Sequence, residues 1–150
     1  MSSSVSHVSG LASQAAGIAA NLMTGRTAFT IAGDGDFLMN GQELATATLH
    51  GGKSIVVILN NGMYGTIRMH QEREFPSRVQ ATALANPDFV ALAHAFGWAG
   101  ERVERTAQFE PALRAALERD IGTVIEVMLD PEVLTTRGTL SAIRDAALKR

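Results

Sequence analysis

Cysteine is absent from all 150 residues, which excludes a disulfide frame, a thiolate metal site and a cysteine nucleophile. That composition suits the cytosol. No basic stretch opens the chain: the N-terminus reads MSSSVSHVSG and the first cation is Arg26, so a secretory leader is not expected. Long hydrophobic runs are missing too. The longest apolar strand core is Ile55-Val56-Val57-Ile58-Leu59, far too short to cross a bilayer as a helix. There is no excess of one charge. A net charge of −2 leaves no footprint for nucleic acid and no attraction to an anionic membrane. Internal repeats and low-complexity tracts are absent apart from the serine-rich start.

Hydrophobic residues make up 46% of the chain and charged residues 19%. That balance excludes disorder, and the length allows one domain with a real core. Charge is unevenly spread. Only Arg26, Asp34, Asp36, Glu43 and Lys53 fall in the first 53 positions, against 23 charged residues in the remaining 97. A charge-poor half implies segments covered on both faces, or a surface covered by another domain or chain.

Strand and helix patterns alternate along the chain. Residues 10–23 are rich in small side chains and predict a closely packed helix. Residues 27–32 read as a buried strand. Asn40 with Glu43 three positions on resembles a capping box opening a helix to His50, which Gly51-Gly52 ends. A second buried strand follows at 54–59. Asn86-Pro87-Asp88 marks a helix start, with Asn86 as cap and Pro87 at the first position. Phe89, Leu92, Ala93 and Phe96 line that helix, and Gly97 closes it. Residues 101–104 read as a short edge strand, Thr106 as the cap of a helix lined by Phe109, Leu113, Ala116 and Leu117, and 123–129 as a third strong strand. Asp130-Pro131 stops it, and a last amphipathic helix spans 140–149. The expected organisation is an N-terminal segment 1–26, a core 27–131 and a helical tail 132–150 within one domain. Alternating elements of this kind predict an α/β fold, a three-layer sandwich around a mostly parallel sheet.

Ligands of such sheets bind beyond the carboxyl ends of the strands. Two polar clusters, Gly33-Asp34-Gly35 and Asn60-Asn61, sit at such ends on strands joined by one crossover. Either cluster alone is explained by an ordinary turn. Together they place a carboxylate and an amide oxygen at one crevice, a hard donor pair that suits Mg²⁺. The glycines flanking Asp34 permit close backbone approach, and the amides of Gly35 and Asp36 can donate to phosphate oxygens. These groups propose a metal-bridged diphosphate.

GDG followed some two dozen residues later by NN resembles the diphosphate-binding signature of thiamine-diphosphate enzymes. The surrounding GDGDFLMNGQELATA and NNGMYGTIR look most like the acetolactate synthase and benzoylformate decarboxylase branch, and the resemblance runs over residues 27–130. It implies the thiamine-diphosphate-binding fold, with thiamine diphosphate and Mg²⁺ as cofactors. Asp34 and Asn61 would be side-chain metal ligands and Met63 a backbone-carbonyl ligand. Gly33, Gly35 and Asp36 would line the diphosphate, and Tyr64, Gly65, Thr66 and Ile67 the thiazolium ring. His70 would reach a substrate pocket. The resemblance implies decarboxylation or carboligation of a 2-oxo acid, a lyase or transferase reaction in the cytoplasm, with no nucleic-acid or membrane partner. It assigns no catalytic residue to this chain. The family's activating glutamate lies on a pyrimidine-binding domain for which the chain has no room, so a partner domain or subunit in a homo- or hetero-oligomer is expected. A catalytically silent cofactor-binding fragment or regulatory module is the competing reading.

Three features depart from the family. Residues 6–10 replace a glycine-rich loop, Asp36 stands where serine or alanine is common, and Met69-His70-Gln71 lacks a tryptophan-bearing pattern. Outside the motif, His50 reads as a helix C-terminal cation and His94 as surface. Trp98 is expected to pack over a helix end. Arg68, Glu72, Arg73 and Glu74 are expected on a solvated face or an interchain contact.

Overall fold

In a computed structural model, which describes residues 6–9, 13–136 and 138–150, the apolar run at 54–59 is the centre of a parallel sheet. The strands are β1 (Ser6–Ser9), β2 (Ala28–Gly33), β3 (Ser54–Asn60), β4 (Ala99–Val103) and β5 (Thr123–Met128). The helices are α1 (Ser13–Thr24), α2 (Asp34–Asn40), α3 (Glu43–His50), α4 (Gly65–Glu74), α5 (Phe89–Ala95), α6 (Phe109–Glu118) and α7 (Leu140–Leu148). The strand order is β1-β2-β3-β5-β4, and every pairing is parallel. Parallel pairing demands a crossover between neighbours, and burial on both faces explains why SIVVILN shows no polar alternation.

The chain divides into two compact units: the described part of Met1–Asn60 with Pro87–Met128, and Asn61–Asn86 with Leu129–Arg150. All five strands lie in the first unit. On one sheet face Ala32, Val56, Ile58 and Val124 pack with Ile18 of α1, Phe37 of α2, Leu44 and Ala47 of α3, and Phe89 and Ala93 of α5. Phe37 and Phe89 meet edge-to-face with centroids 5.4 Å apart, a favoured aromatic geometry. The opposite face carries Ile55, Val57, Val103 and Ile125 under Phe109, Leu113 and Ala116 of α6. Helices cover both faces, as the α/β pattern predicts.

Several local expectations change. Residues 6–9, read as the counterpart of a loop, form β1 beside β2; a four-residue strand of mixed polarity carries almost no periodic signal. The helix expected over 10–23 is α1, and residues 10–12 lie outside the described residues. Asn40 does not cap α3. It ends α2, Gln42 occupies the cap position without a side-chain bond, and Glu43 instead accepts from the Thr46 hydroxyl at 2.9 Å. The cap of α5 is Asp88, which accepts from the Ala91 amide at 3.0 Å, rather than Asn86. Either residue type can cap, and backbone geometry chose between them. Thr106 opens a 3₁₀ turn, Thr106–Gln108, that leads into α6. Trp98 is a core residue at 3% exposure. Its indole N–H donates to the Thr48 hydroxyl at 3.1 Å, and a Cβ on Gly122 would stand 2.5 Å from its ring.

In the second unit, α4 and α7 enclose Glu72, which is buried rather than solvated. Its Oε2 accepts from the Ser77 amide at 2.9 Å, and its Oε1 faces Arg68 at 3.4 Å and Arg144 at 3.8 Å. A buried carboxylate persists only where such partners replace water. Arg144 comes from α7, which no local reading of GTIRMHQERE reveals.

Helix α1 lies close against β2, where a Cβ on Gly17 would lie 2.2 Å from the Thr30 hydroxyl oxygen. Helix propensity favours alanine over glycine by about 1 kcal/mol, whereas overpacking a filled core costs ~1–3 kcal/mol. Gly17→Ala is therefore expected to destabilise on balance, read as a lower melting temperature; a rise would show that α1 can move off the sheet.

Candidate functional site

The carboxyl end of β2 delivers the first cluster. Gly33 stands at the cap position of α2 in an extended conformation, and Asp34 and Asp36 occupy its first turn. Negative charge is favoured at a helix start. Asp34 is 2% exposed, and its Oδ1 accepts from the Gly35 amide at 3.0 Å. That amide, expected to meet a phosphate, therefore faces the neighbouring carboxylate here. Gly35 is buried and Asp36 half-buried. A Cβ at Gly33 would lie 3.5 Å from Asp36 Oδ2, so the Asp36 carboxylate folds back over the end of β2.

The second cluster splits at the unit boundary, Asn60 ending the first unit and Asn61 opening the second. Within the second unit, Asn61 Oδ1 accepts from the Met63 amide at 3.2 Å, an Asx turn with Gly62 at φ +70°. The segment is stitched to a facing one. Gly62 O accepts from the Leu84 amide and Thr82 O from the Tyr64 amide, both at 2.9 Å, and Met63 bridges Ala83. Helix α4 then starts at Gly65, where a Cβ would lie 2.8 Å from both Asn61 Nδ2 and Leu134 Cδ2. A side chain at this position would displace the Asn61 amide or the Leu134 side chain from the helix start. Tyr64 is half-buried, while Thr66, Ile67 and His70 are exposed on α4. Spacings of three and four residues put all three on one side of the helix.

The donor chemistry fits a hard cation. Among the described residues no three His, Cys, Asp or Glu side chains form a cluster suited to a metal. A cation held by this chain would draw on a carboxylate with amide and carbonyl oxygens, a set that suits Mg²⁺. Asn61 Oδ1 has two lone pairs and spends one on the Met63 amide. The Asx turn and metal ligation are therefore compatible.

Asn60 belongs to a polar row that sequence reading did not find. Its Nδ2 donates to Glu126 Oε1 at 2.7 Å, and Arg102 Nε donates to Glu126 Oε2 at 2.8 Å. Arg102 also reaches Asp88 Oδ1 at 3.0 Å. Glu126 is 2% exposed, so both its oxygens are satisfied by protein. The hydrogen bond and charge of Glu126 raise the Arg102 pKa further. The Ala91 amide, aided by Arg102, holds Asp88 below the usual carboxylate range. The available signal was one charged residue inside the apolar strand TVIEVM.

A profile of the "Thiamine pyrophosphate enzyme, C-terminal TPP binding domain" family matches residues 4–127, and the chain belongs to that family. Among proteins of known annotation it is 39% identical over 105 residues to the acetolactate synthase isozyme 2 large subunit of Escherichia coli, covering 69% of this chain and 19% of that subunit. It is likewise 39% identical over 107 residues to the acetolactate synthase large subunit of Parasynechococcus marenigrum, covering 70% of this chain and 17% of that one. A solved structure, the thiamine diphosphate-dependent 4-hydroxybenzoylformate decarboxylase of Rhodococcus jostii, superposes with a TM-score of 0.73 at 28% identity, over 79% of this chain and 23% of that chain. The chain thus spans less than a quarter of the length of these relatives. No helix among the described residues is long and apolar enough to cross a membrane.

Asp88 supplies a pH test. Its folded pKa lies below the ordinary carboxylate value of 3.8, so its contribution is complete above that value and is lost as pH falls through the lower folded one. Asp88→Ala should lower the melting temperature at neutral pH, with the gap to wild type narrowing as pH falls through the lowered folded pKa. A pH-independent gap would remove the charge from the account.

Proposed function

We propose that this chain is the diphosphate-binding part of a thiamine-diphosphate enzyme acting on a 2-oxo acid, of the acetolactate synthase type. In this reading Asp34 and Asn61 are side-chain ligands of Mg²⁺, and Met63 lends its backbone carbonyl. Gly33, Gly35 and Asp36 line the diphosphate through their backbone. The Asp36 carboxylate turns away from the phosphates, whose charge would repel it. Tyr64, Gly65, Thr66 and Ile67 border the thiazolium ring, and His70, on the exposed side of α4, faces the substrate. When bound, thiamine diphosphate supplies the electron sink that lets carbon dioxide leave a 2-oxo acid. This chain's residues anchor and orient that cofactor.

The observation that carries the reading is the Asp34 carboxylate, 2% exposed at the carboxyl end of a central strand, in a chain whose family is named for this cofactor. The acetolactate synthase relatives support the substrate class. Activity requires a pyrimidine-binding domain or subunit carrying the activating glutamate, within a homo- or hetero-oligomer in the cytoplasm. The isolated chain should therefore turn over neither pyruvate nor benzoylformate.

Calorimetry of thiamine diphosphate at graded Mg²⁺ tests the metal assignment. Asp34→Ala and Asn61→Ala should each weaken the Mg²⁺-dependent affinity by at least tenfold, about 1.4 kcal/mol. If either variant binds as wild type does, that residue is not a ligand.

A further inference from the structure

The chain passes between its two units after Asn60, after Asn86 and after Met128. A member of the polar row, buried at Asn60 and Glu126 and exposed at Asp88, stands within two residues of each passage, on the first unit's side. Arg102, on the edge strand β4, closes the row between them. The pairing register explains how they meet. Arg102 and Glu126 are direct partners across β4 and β5, and Ile58 is the partner of Glu126 on β3. Asn60 lies two residues beyond Ile58 and so on the same sheet face. Asp88 reaches this face as the cap of α5, whose Phe89 and Ala93 pack there.

We infer that Glu126 is a positioning residue for the metal site, acting through Asn60 on Asn61. The inference rests on the function proposed above. Glu126 Oε1 holds the Asn60 amide, and Asn60 is the last residue of β3, bonded directly to Asn61. A fixed Asn60 sets the direction in which the backbone leaves the sheet, and with it where the Asn61 oxygen can be presented. Arg102 holds Glu126 in orientation through its second oxygen, and Asp88 keeps Arg102 in place. Outer partners of metal ligands act in this way, and their loss commonly costs tenfold or more in metal affinity.

The test measures thiamine diphosphate binding to the full 150-residue chain by calorimetry at graded Mg²⁺, with thermal melting alongside. Asn60→Ala leaves the Glu126–Arg102 pair intact, and Glu126→Gln preserves shape while removing the charge. Each is expected to fold and to weaken Mg²⁺-dependent binding about tenfold. The double variant should be no weaker than the worse single, because both changes break one linkage. Wild-type binding in both singles, or losses that multiply in the double, overturns the inference. So does loss of fold in both, which would make the row a stabiliser of the sheet alone. If wild type itself shows no Mg²⁺-dependent binding, or Asp34→Ala leaves it intact, the proposed function fails and this inference with it. If Asp34→Ala abolishes binding while Asn60→Ala and Glu126→Gln do not affect it, only the positioning role falls.

Discussion

A carboxylate buried between two strands of a parallel sheet is tolerable only when every lone pair facing the protein finds a donor. Glu126 meets that demand with Asn60 on one oxygen and Arg102 on the other. Three strands and the start of α5 are thereby held to one geometry at the carboxyl edge. The rest of the first unit is apolar packing on both faces of β3 and β5. Such packing is strong, but it is non-directional. Directional bonds at the edge settle how the chain leaves the sheet, where a parallel fold places its chemistry.

Close approach is the second theme. Gly17 lets α1 touch Thr30, Gly122 lies against the Trp98 ring, and Gly65 leaves room for the Asn61 amide. Each glycine trades conformational entropy for a contact that a methyl group would block. At Gly65 the beneficiary is a polar group with a lone pair to spare. The other two glycines serve apolar and hydroxyl packing against the sheet.

The second unit follows a different logic. Its centre is the Glu72 carboxylate, gathering Arg68, Arg144 and the Ser77 amide. Gln71 adds a two-way clasp on the backbone of Gln80, donating at 3.0 Å and accepting at 3.1 Å. These bonds order a loop that carries positive φ at Ser77 and Ala81. Helix α4 is thus tied to its own unit through Arg68, Gln71 and Glu72, while Ile67 and His70 stand exposed.

Much was legible in the residue order because local chemistry dictated it. Apolar β-branched runs can only be covered strands, so the parallel α/β class, β2, β3, β5 and helices α5 to α7 were readable within a few residues. The GDG and NN clusters identified the family because their spacing reflects one crossover, a local constraint. What the sequence could not decide were choices between chemically equivalent partners. Asn86 or Asp88 could cap α5, Glu43 could cap or bond sideways, and Trp98 could cover a helix or fill the core. Likewise Glu72 and Glu126 look like surface charges until residues 72 and 66 positions away, respectively, arrive to satisfy them. Hydrogen bonds between distant residues leave no periodic trace, so only the tertiary structure decided which carboxylates went inside.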